Sequence, residues 1–314
     1  MIIDAHCDTL LKVTYEDSYS LRENTGHLSL NMLKNSDALC QFFAIYIERE
    51  LMNIKSSYEI FSDMYEKYMD ELKLNDDIIK PVYRGKDILN NYNDGKLSAL
   101  LSIEDAVCAQ GKLERIEEFY KKGVRAIALL WNFENELGYP NSINHKEHMK
   151  GLKAFGKDAV LLMNDLGIIV DVSHLSEGGF YDVADISKSP FMATHSCARA
   201  LCNHQRNLTD DQIRVLGNKG GVIGVNFEAS FLTYGSTHGT NKEIIEHIRY
   251  MVNIGGIDAV GFGSDFDGID DAGEINNYNG YAGLIDQLGN YFSDDEIDKI
   301  CYKNELRLIK EVIK

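Results

Sequence analysis

Short apolar runs recur along the chain, and segments with the periodicity of amphipathic helices separate them. Most of the runs are nearly continuous in hydrophobic residues, which is typical of parallel strands covered on both faces. The pattern predicts strands at residues 2–7, 41–47, 98–103, 126–131, 168–173, 191–194, 222–227 and 259–263. It predicts helices at residues 113–122, 148–166, 176–184, 210–219 and 242–253, and a further helical pattern at 293–312 follows the last strand.

Eight strands that alternate with helices are expected to close into a (β/α)8 barrel of the TIM type. The alternative that the same pattern allows is a doubly wound open sheet. The longest stretch between predicted strands, residues 48–97, has helical periodicity at 58–74 and is interpreted as an insertion. Because no linker or composition shift divides the sequence, we expect residues 1–314 to form a single domain.

The composition is that of an acidic globular protein. The chain has 32 Lys and Arg against 49 Asp and Glu, for a formal net charge of −17. This charge disfavours nucleic acid and anionic membrane surfaces as partners, because both carry negative charge. The sequence shows neither a secretion signal nor an apolar run of membrane-spanning length, and its six cysteines are too sparse for a disulfide framework. We therefore expect a cytoplasmic protein.

Ionisable side chains that suit metal ions stand at the ends of the predicted strands. They are His6, Asp8, Glu104, His174, His195 and Asp265. In a (β/α)8 barrel the carboxyl ends of all strands meet at one face, which is the face that carries active sites. Arrival of so many such groups at this face independently is hard to ascribe to chance.

Each of these groups has a chemistry that fits a metal centre, although each alone has a simpler interpretation. His6 and Asp8 are two residues apart and point to the same side of a strand, where they could also just form a hydrogen bond. Glu104 would be a buried carboxylate, whose two oxygens can bridge two ions. Imidazole suits Zn2+, but a lone His174 or His195 is more often a satisfied core residue. Asp265 could serve as a general base and then as an acid.

Two residues near His174 are candidates for orienting its ring. Asp171 and Ser173 precede it on the same predicted strand and carry the oxygens that such a role needs. Metal-ligating histidines commonly donate their second ring N–H to an oxygen of this kind.

Taken together, several short motifs resemble the membrane (renal) dipeptidase family of zinc peptidases. They occur in that family's order and span nearly the whole chain: Asp4-Ala-His-Cys-Asp8, Asp171-Val-Ser-His174, Thr194-His-Ser196, Gln205-Arg-Asn-Leu208 and Gly263-Ser-Asp-Phe-Asp-Gly268. The resemblance implies a metal-dependent (β/α)8 barrel that hydrolyses dipeptides by means of a metal-bridged hydroxide. It also implies a homodimer.

The resemblance assigns roles to individual residues. It implies one zinc held by His6 and Asp8 and a second held by His174 and His195, with Glu104 bridging the two. Asp265 matches the catalytic aspartate of the family. Arg206 matches the arginine that takes the terminal carboxylate of the substrate, a task for which the planar guanidinium is well shaped.

After the fourth predicted strand this chain departs from the animal members of the family. They carry a substrate-binding histidine there, whereas this chain has Trp131 and Asn132, as bacterial-type relatives do. We therefore expect Trp131 and Asn132 to contact the substrate together with Arg206. The side chains that the enzyme prefers, and its acceptance of a D-residue at the C-terminal position, are left open.

Two other functions remain as alternatives. Another binuclear-metal amidohydrolase could act on a lactam or cyclic amide, but such enzymes usually begin with H-x-H and often bridge their metals with a carboxylated lysine. The H-x-D pair of His6 and Asp8, together with Glu104, disfavours this alternative. A non-catalytic metal- or ligand-binding barrel is disfavoured by the presence of Asp265 beside a complete ligand set.

Overall fold

A computed structural model of the protein describes residues 1–17 and 19–314. Within these residues the strands are β1 Ile2–Asp4, β2 Ala38–Tyr46, β3 Ile79–Pro81, β4 Leu97–Glu104, β5 Val124–Ala128, β6 Ile169–Asp171, β7 Met192–Ser196, β8 Val222–Val225 and β9 Val260–Phe262. All the pairings between them are parallel, and the order β1-β2-β4-β5-β6-β7-β8-β9 returns to β1 where Asp4 pairs with Phe262. This closure confirms the predicted (β/α)8 barrel and excludes the open sheet.

The described strands include each of the eight predicted ones and, in addition, β3. This strand lies in the 48–97 insertion and pairs with residues 97–99 of β4. It pairs with the start of β4, on the edge that β5 uses from Leu101 onwards. The sequence did not predict β3 because it has only three residues and ends in Pro81, a residue confined to edges and strand ends.

Helices surround the barrel on its outer face. They are α1 Thr9–Tyr15, α2 Leu30–Asn35, α3 Ser57–Leu74, α4 Asp87–Asn93, α5 Leu113–Lys121, α6 His145–His148, α7 Ala154–Leu166, α8 Glu177–Ile186, α9 Asp210–Asn218, α10 Ala229–Leu232, α11 Asn241–Gly255, α12 Tyr281–Leu288, α13 Asp294–Asp298 and α14 Asn304–Val312. The predicted helix at 148–166 begins later, at Ala154 of α7, and His148 is instead the last residue of α6. Between the two helices, Leu152 N–H donates to Asp182 rather than to a helix carbonyl. Among the described residues, no helix has both the length and the apolar character that a membrane crossing requires.

Apolar side chains fill the lower part of the barrel and leave the polar chemistry at its upper end. Interior residues at the starts of β6, β7 and β8 (Ile169, Met192 and Val222) belong to one buried cluster with Leu308 and Ile309 of α14. The C-terminal helix therefore closes the amino-terminal end of the barrel. Access to the interior is left at the carboxyl ends of the strands, which is where the predicted site residues lie.

His247 of α11 connects two of the loops at that upper end. Its Nδ1 accepts the N–H of Ala198, after β7, at 3.0 Å, and its Nε2 lies 3.0 Å from the carbonyl oxygen of Leu232 in α10. Accepting at one nitrogen and donating at the other requires a neutral imidazole. Burial lowers the pKa of His247 below its usual value of 6.5, although the Leu232 carbonyl opposes this shift.

We therefore expect His247 to make the protein less stable as the solution becomes more acidic. Below pH 6.5 the unfolded chain takes up a proton that the folded chain resists, so the free energy of unfolding falls with falling pH. In urea unfolding of the metal-free protein between pH 8 and pH 5, the wild type should lose more stability on acidification than His247→Gln. Equal pH slopes for the two proteins would contradict this expectation.

Candidate metal centre

Six ionisable side chains from five strand ends converge at the top of the barrel. His6 and Asp8 follow β1, Glu104 ends β4, His174 follows β6, His195 lies in β7, and Asp265 follows β9. All are buried except Asp265, whose side chain is 14% exposed. The barrel therefore brings together all five residues predicted as metal ligands and the predicted catalytic aspartate.

Glu104 lies between two groups of these residues. Its Oε1 is 2.8 Å from His174 Nε2 and 3.4 Å from His195 Nε2. Its Oε2 is 3.5 Å from His6 Nε2, and that nitrogen is in turn 3.3 Å from Asp8 Oδ2. The two oxygens of one carboxylate thus face two separate sets of ligand atoms. The sets lie close to each other, because the rings of His6 and His195 are only 3.9 Å apart.

The nitrogen and oxygen atoms of this cluster are better placed to bind cations than to form hydrogen bonds with one another. Oxygen atoms of Asn132 and Thr194 lie 3.0 Å and 2.8 Å from the Nδ1 atoms of His174 and His195, respectively. With Nδ1 protonated in both rings, the two Nε2 lone pairs meet at 3.0 Å. Asp8 Oδ1 is also buried without a hydrogen-bond partner among the described residues. Two nitrogen ligands of a tetrahedral zinc ion stand roughly 3.3 Å apart, so the donor set suits such an ion.

The pKa shifts in the cluster show that its buried carboxylates are stabilised by a nearby positive charge. Burial opposes ionisation of Glu104, but the charge of His6 holds the pKa of this carboxyl well below its usual range. For His6, burial is likewise outweighed, and Glu104 and Asp8 raise the pKa well above its usual value. Burial and the Glu104 charge raise the pKa of Asp8 to about 7. Without a metal, a proton on His6 supplies the charge that these carboxylates require.

Asp265 lies on the side of the cluster that His6 and Asp8 form. Its Oδ1 is 3.8 Å from His6 Nε2, and its Oδ2 accepts a hydrogen bond of 2.9 Å from the amide of Asn226. Burial raises the pKa of Asp265, against the opposing effect of His6. Gly268 closes over this group, since a Cβ there would stand 2.2 Å from Asp8 Oδ2 and 2.5 Å from Asp265 Oδ1.

Asp4 fixes the relative position of the β1 and β9 ends. Its buried carboxylate accepts from Ser264 N at 2.9 Å, from Ser264 Oγ at 2.6 Å and from His6 N at 3.4 Å. The neighbouring Gly263 permits a close approach of β7, because a Cβ there would lie 1.7 Å from the Thr194 carbonyl oxygen. Asp4 belongs to the first of the family-like motifs, although the sequence predicted no role for it.

Asp171 was a candidate for orienting His174, but its carboxylate contacts Thr194 and not the His174 ring. Its carboxylate instead accepts from Thr194 N at 3.0 Å and from the Thr194 hydroxyl, which in turn contacts His195 Nδ1. Ser173 likewise serves His195, because its Oγ accepts the His195 N–H at 3.2 Å. The chain Asp171–Thr194–His195 holds the neighbouring histidine, and His174 depends on Asn132.

A cavity of about 380 Å³ opens above the cluster. Trp131 and Asn132 line it, and the Trp131 ring packs against Tyr46 with ring centres 5.1 Å apart. Two acidic side chains that the sequence analysis did not consider, Glu48 and Glu228, line it as well. No lysine or arginine lies among the described residues that form its wall.

Arg206 lies beside this cavity rather than in its wall. Its Nη2 donates to the His195 carbonyl oxygen at 3.1 Å, and its guanidinium carbon is 5.5 Å from the ring centre of Phe231, which does line the cavity. Its Nε is buried without a hydrogen-bond partner among the described residues. The Phe231 side chain thus lies between the charged guanidinium of Arg206 and the cavity.

Comparisons with known proteins point to one family. The family model "Membrane dipeptidase (Peptidase family M19)" matches residues 1–314. An uncharacterized protein from the pqqA 5′ region of Klebsiella pneumoniae is 38% identical in an alignment of 236 positions that covers 72% of this chain and 86% of that protein. An uncharacterized dipeptidase of Schizosaccharomyces pombe is 29% identical in an alignment of 333 positions, gaps included, that covers 99% of this chain and 80% of its own length.

A solved structure is similar over the whole barrel. It is a metallo peptidase from Rhodobacter sphaeroides liganded with a phosphinate mimic of the dipeptide L-Ala-D-Ala. The TM-score is 0.90 at 25% sequence identity, and the match covers 99% of each chain. The similarity therefore includes every strand end that carries a residue of the cluster.

Proposed function

This chain belongs to the membrane dipeptidase family, peptidase family M19, and on that premise we propose that its buried cluster holds two zinc ions for the hydrolysis of dipeptides. The chain is a metallo-dipeptidase, a hydrolase that acts on the peptide bond. The observation that carries the proposal of two ions is the position of Glu104, whose two oxygens face two different sets of ligand atoms.

The proposed ligand sets follow from these contacts. His6 and Asp8 would hold one ion, His174 and His195 would hold the other, and Glu104 would bridge them. Two such ions supply Lewis acidity towards the peptide carbonyl and lower the pKa of water to near 7. The mixed nitrogen and oxygen donor set favours zinc over magnesium or calcium, which prefer sites made of oxygen atoms alone.

Asp265 would carry the proton during hydrolysis. The amide of Asn226 occupies its Oδ2, so Oδ1, the atom nearer to His6, remains available to accept a proton from the attacking water. The same carboxyl would then return the proton to the departing amine. Burial raises the pKa of this carboxyl above its usual range, which is the direction that a proton carrier near neutral pH requires.

The walls of the cavity would hold the substrate. Trp131 and Asn132 would contact the dipeptide, and Arg206 would bind its terminal carboxylate once the Phe231 ring turns aside. The phosphinate mimic of L-Ala-D-Ala in the Rhodobacter sphaeroides structure supports acceptance of a D-residue at the C-terminal position. A single domain, a homodimer and a cytoplasmic location complete the proposal and rest on the sequence and the resemblance.

The charge of the cavity suggests which side chains the substrate carries. Glu48 and Glu228 line the wall, and no lysine or arginine lines it with them among the described residues. Unpaired wall carboxylates attract cations and repel anions. We therefore propose that dipeptides with a lysine or arginine side chain are preferred over those with an acidic one.

Metal content and hydrolysis measured on one preparation test the proposed function. We expect about two zinc ions per chain by mass spectrometry and cleavage of L-Ala-L-Ala and L-Ala-D-Ala that chelation abolishes and zinc restores. In the same panel L-Lys-L-Ala should be cleaved faster than L-norleucyl-L-Ala, which has a side chain of similar length without charge, and L-Glu-L-Ala should be slowest. Bound zinc without cleavage of any dipeptide would refute the proposed activity. Absence of zinc from the metal-replete protein would refute the metal centre.

A further inference from the structure

Asn132 contacts a proposed metal ligand as well as the cavity. It follows β5, and its side chain is exposed towards the cavity that would receive the substrate. Its Oδ1 nevertheless lies 3.0 Å from Nδ1 of His174. From this position Asn132 can orient the His174 ring, which a residue that contacts only substrate would not do.

The contact places an acceptor at Nδ1, the nitrogen of His174 that must carry the proton when Nε2 binds a metal. An amide oxygen can only accept, so a hydrogen bond to it requires a proton on Nδ1. The unprotonated Nε2 then faces Glu104 Oε1 at 2.8 Å and His195 Nε2 at 3.0 Å. In the other tautomer a proton on Nε2 would point at Glu104 and prevent this nitrogen from binding a metal.

Apart from these contacts of Nε2 and that of Nδ1, the other hydrogen bonds of His174 among the described residues involve its main chain. Its backbone lies in the left-handed region, with φ of 67°, and its carbonyl accepts from Asn141 N at 2.7 Å and from the Asn141 amide at 3.2 Å. These bonds fix the main chain but not the rotation of the imidazole. Among the described residues, the hydrogen bond of Asn132 is the one made to Nδ1.

We propose that Asn132 is a positioning residue that holds His174 in its metal-binding tautomer, an inference that rests on the proposed metal centre. His195, the second histidine that contacts Glu104 Oε1, has the Thr194 hydroxyl oxygen beside its Nδ1. That hydroxyl in turn donates a hydrogen bond to Asp171. The two ligands of the second zinc are therefore oriented by different means. Asn132 is the more exposed of these supports and belongs to the cavity wall.

Zinc affinity tests this inference without relying on turnover. Asn132→Ala removes the acceptor, whereas Asn132→Asp keeps an oxygen at the same distance along the side chain. In competition with a chromogenic chelator, the Ala variant should bind one of its two zinc ions about 10- to 100-fold more weakly, and the Asp variant should recover most of that affinity. Asn90→Ala, at an exposed position of α4, is the matched control and should bind like the wild type.

Kinetics at saturating zinc separate positioning from substrate binding. A residue that only contacts substrate would raise KM in the Ala variant and leave both zinc affinities unchanged, and that result would overturn the proposal. Equal zinc loss in the Ala and Asp variants would overturn it too, because the acceptor oxygen would then be irrelevant. Failure of the wild type to bind zinc would instead refute the proposed function itself.

Discussion

Replacement of Asp265 by asparagine is expected to lower kcat for dipeptide hydrolysis by about 10²- to 10⁴-fold, the usual contribution of a general acid–base group. Asparagine has nearly the same shape and can still meet the amide of Asn226, but it cannot take up a proton and return it to the leaving amine. The proposed ligands of both zinc ions remain in place, so the variant should keep its metal. The loss should therefore fall on kcat rather than on metal content.

The measurement pairs turnover with zinc content for Asp265→Asn and for Asp270→Asn. Asp270 is an exposed residue of the same loop, and its replacement controls for a change of charge near the cavity. Undiminished turnover in Asp265→Asn would remove Asp265 from the mechanism. Loss of zinc together with turnover would show that Asp265 acts as a metal ligand and not as a proton carrier.

The sequence was sufficient to predict the barrel and the proposed ligands because both depend on local pattern. Each of the eight predicted apolar runs overlaps a strand, and each proposed ligand lies within four residues of the carboxyl end of one. Parallel strands in a closed barrel must place their carboxyl ends together, so His6, Glu104 and His195 meet although nearly 200 residues separate the first from the last. No knowledge of loop structure was needed for this step.

The residues that support the ligands could not be predicted in the same way, because their partners depend on the register between strands. Asn226 meets Asp265 because Val225 of β8 pairs with Phe262 of β9. Its place at the end of the apolar run 222–227 was the one local signal that could have singled it out. The orientation of Asn132 towards His174 is set by the loop after β5, whose path the apolar pattern does not specify.

Backbone conformation at the site is a second feature that the pattern does not contain. His174 and Asp265 both have positive φ, at 67° and 65°. The left-handed conformation costs a residue other than glycine about 1–3 kcal/mol, and it persists only where the surrounding structure holds it. Here Asn141 holds the main chain of His174, and Asp4, through Ser264, fixes the chain just before Asp265. The fold thus accepts strain at the two points where a proposed ligand and the proposed proton carrier enter the cavity.

Replacement of Glu104 by glutamine should have the largest effect of any single change, because it removes the one group that faces both sets of ligands. An amide keeps one acceptor oxygen but puts an N–H₂ group where the second oxygen stood, beside histidine nitrogens whose lone pairs are to bind metal. We expect zinc content to fall from two ions per chain to at most one. Hydrolysis should fall by more than about 10³-fold, beyond the roughly 10- to 100-fold cost of changing a residue that only orients a ligand.

Thermal unfolding with and without a chelator shows whether this loss comes from the metals or from a damaged fold. A ligand at 100 times its dissociation constant adds about 2.7 kcal/mol to the free energy of unfolding, so chelation should lower the melting temperature of the wild type. In Glu104→Gln the shift should be much smaller, and the chelated forms of both proteins should melt close together. Glu104→Asp, which keeps two equivalent oxygens on a shorter side chain, is the matched control and should bind more zinc than the Gln variant. Two tightly bound zinc ions in Glu104→Gln would exclude the bridging role, because no other carboxylate in the described part of the cluster contacts both sets of histidines.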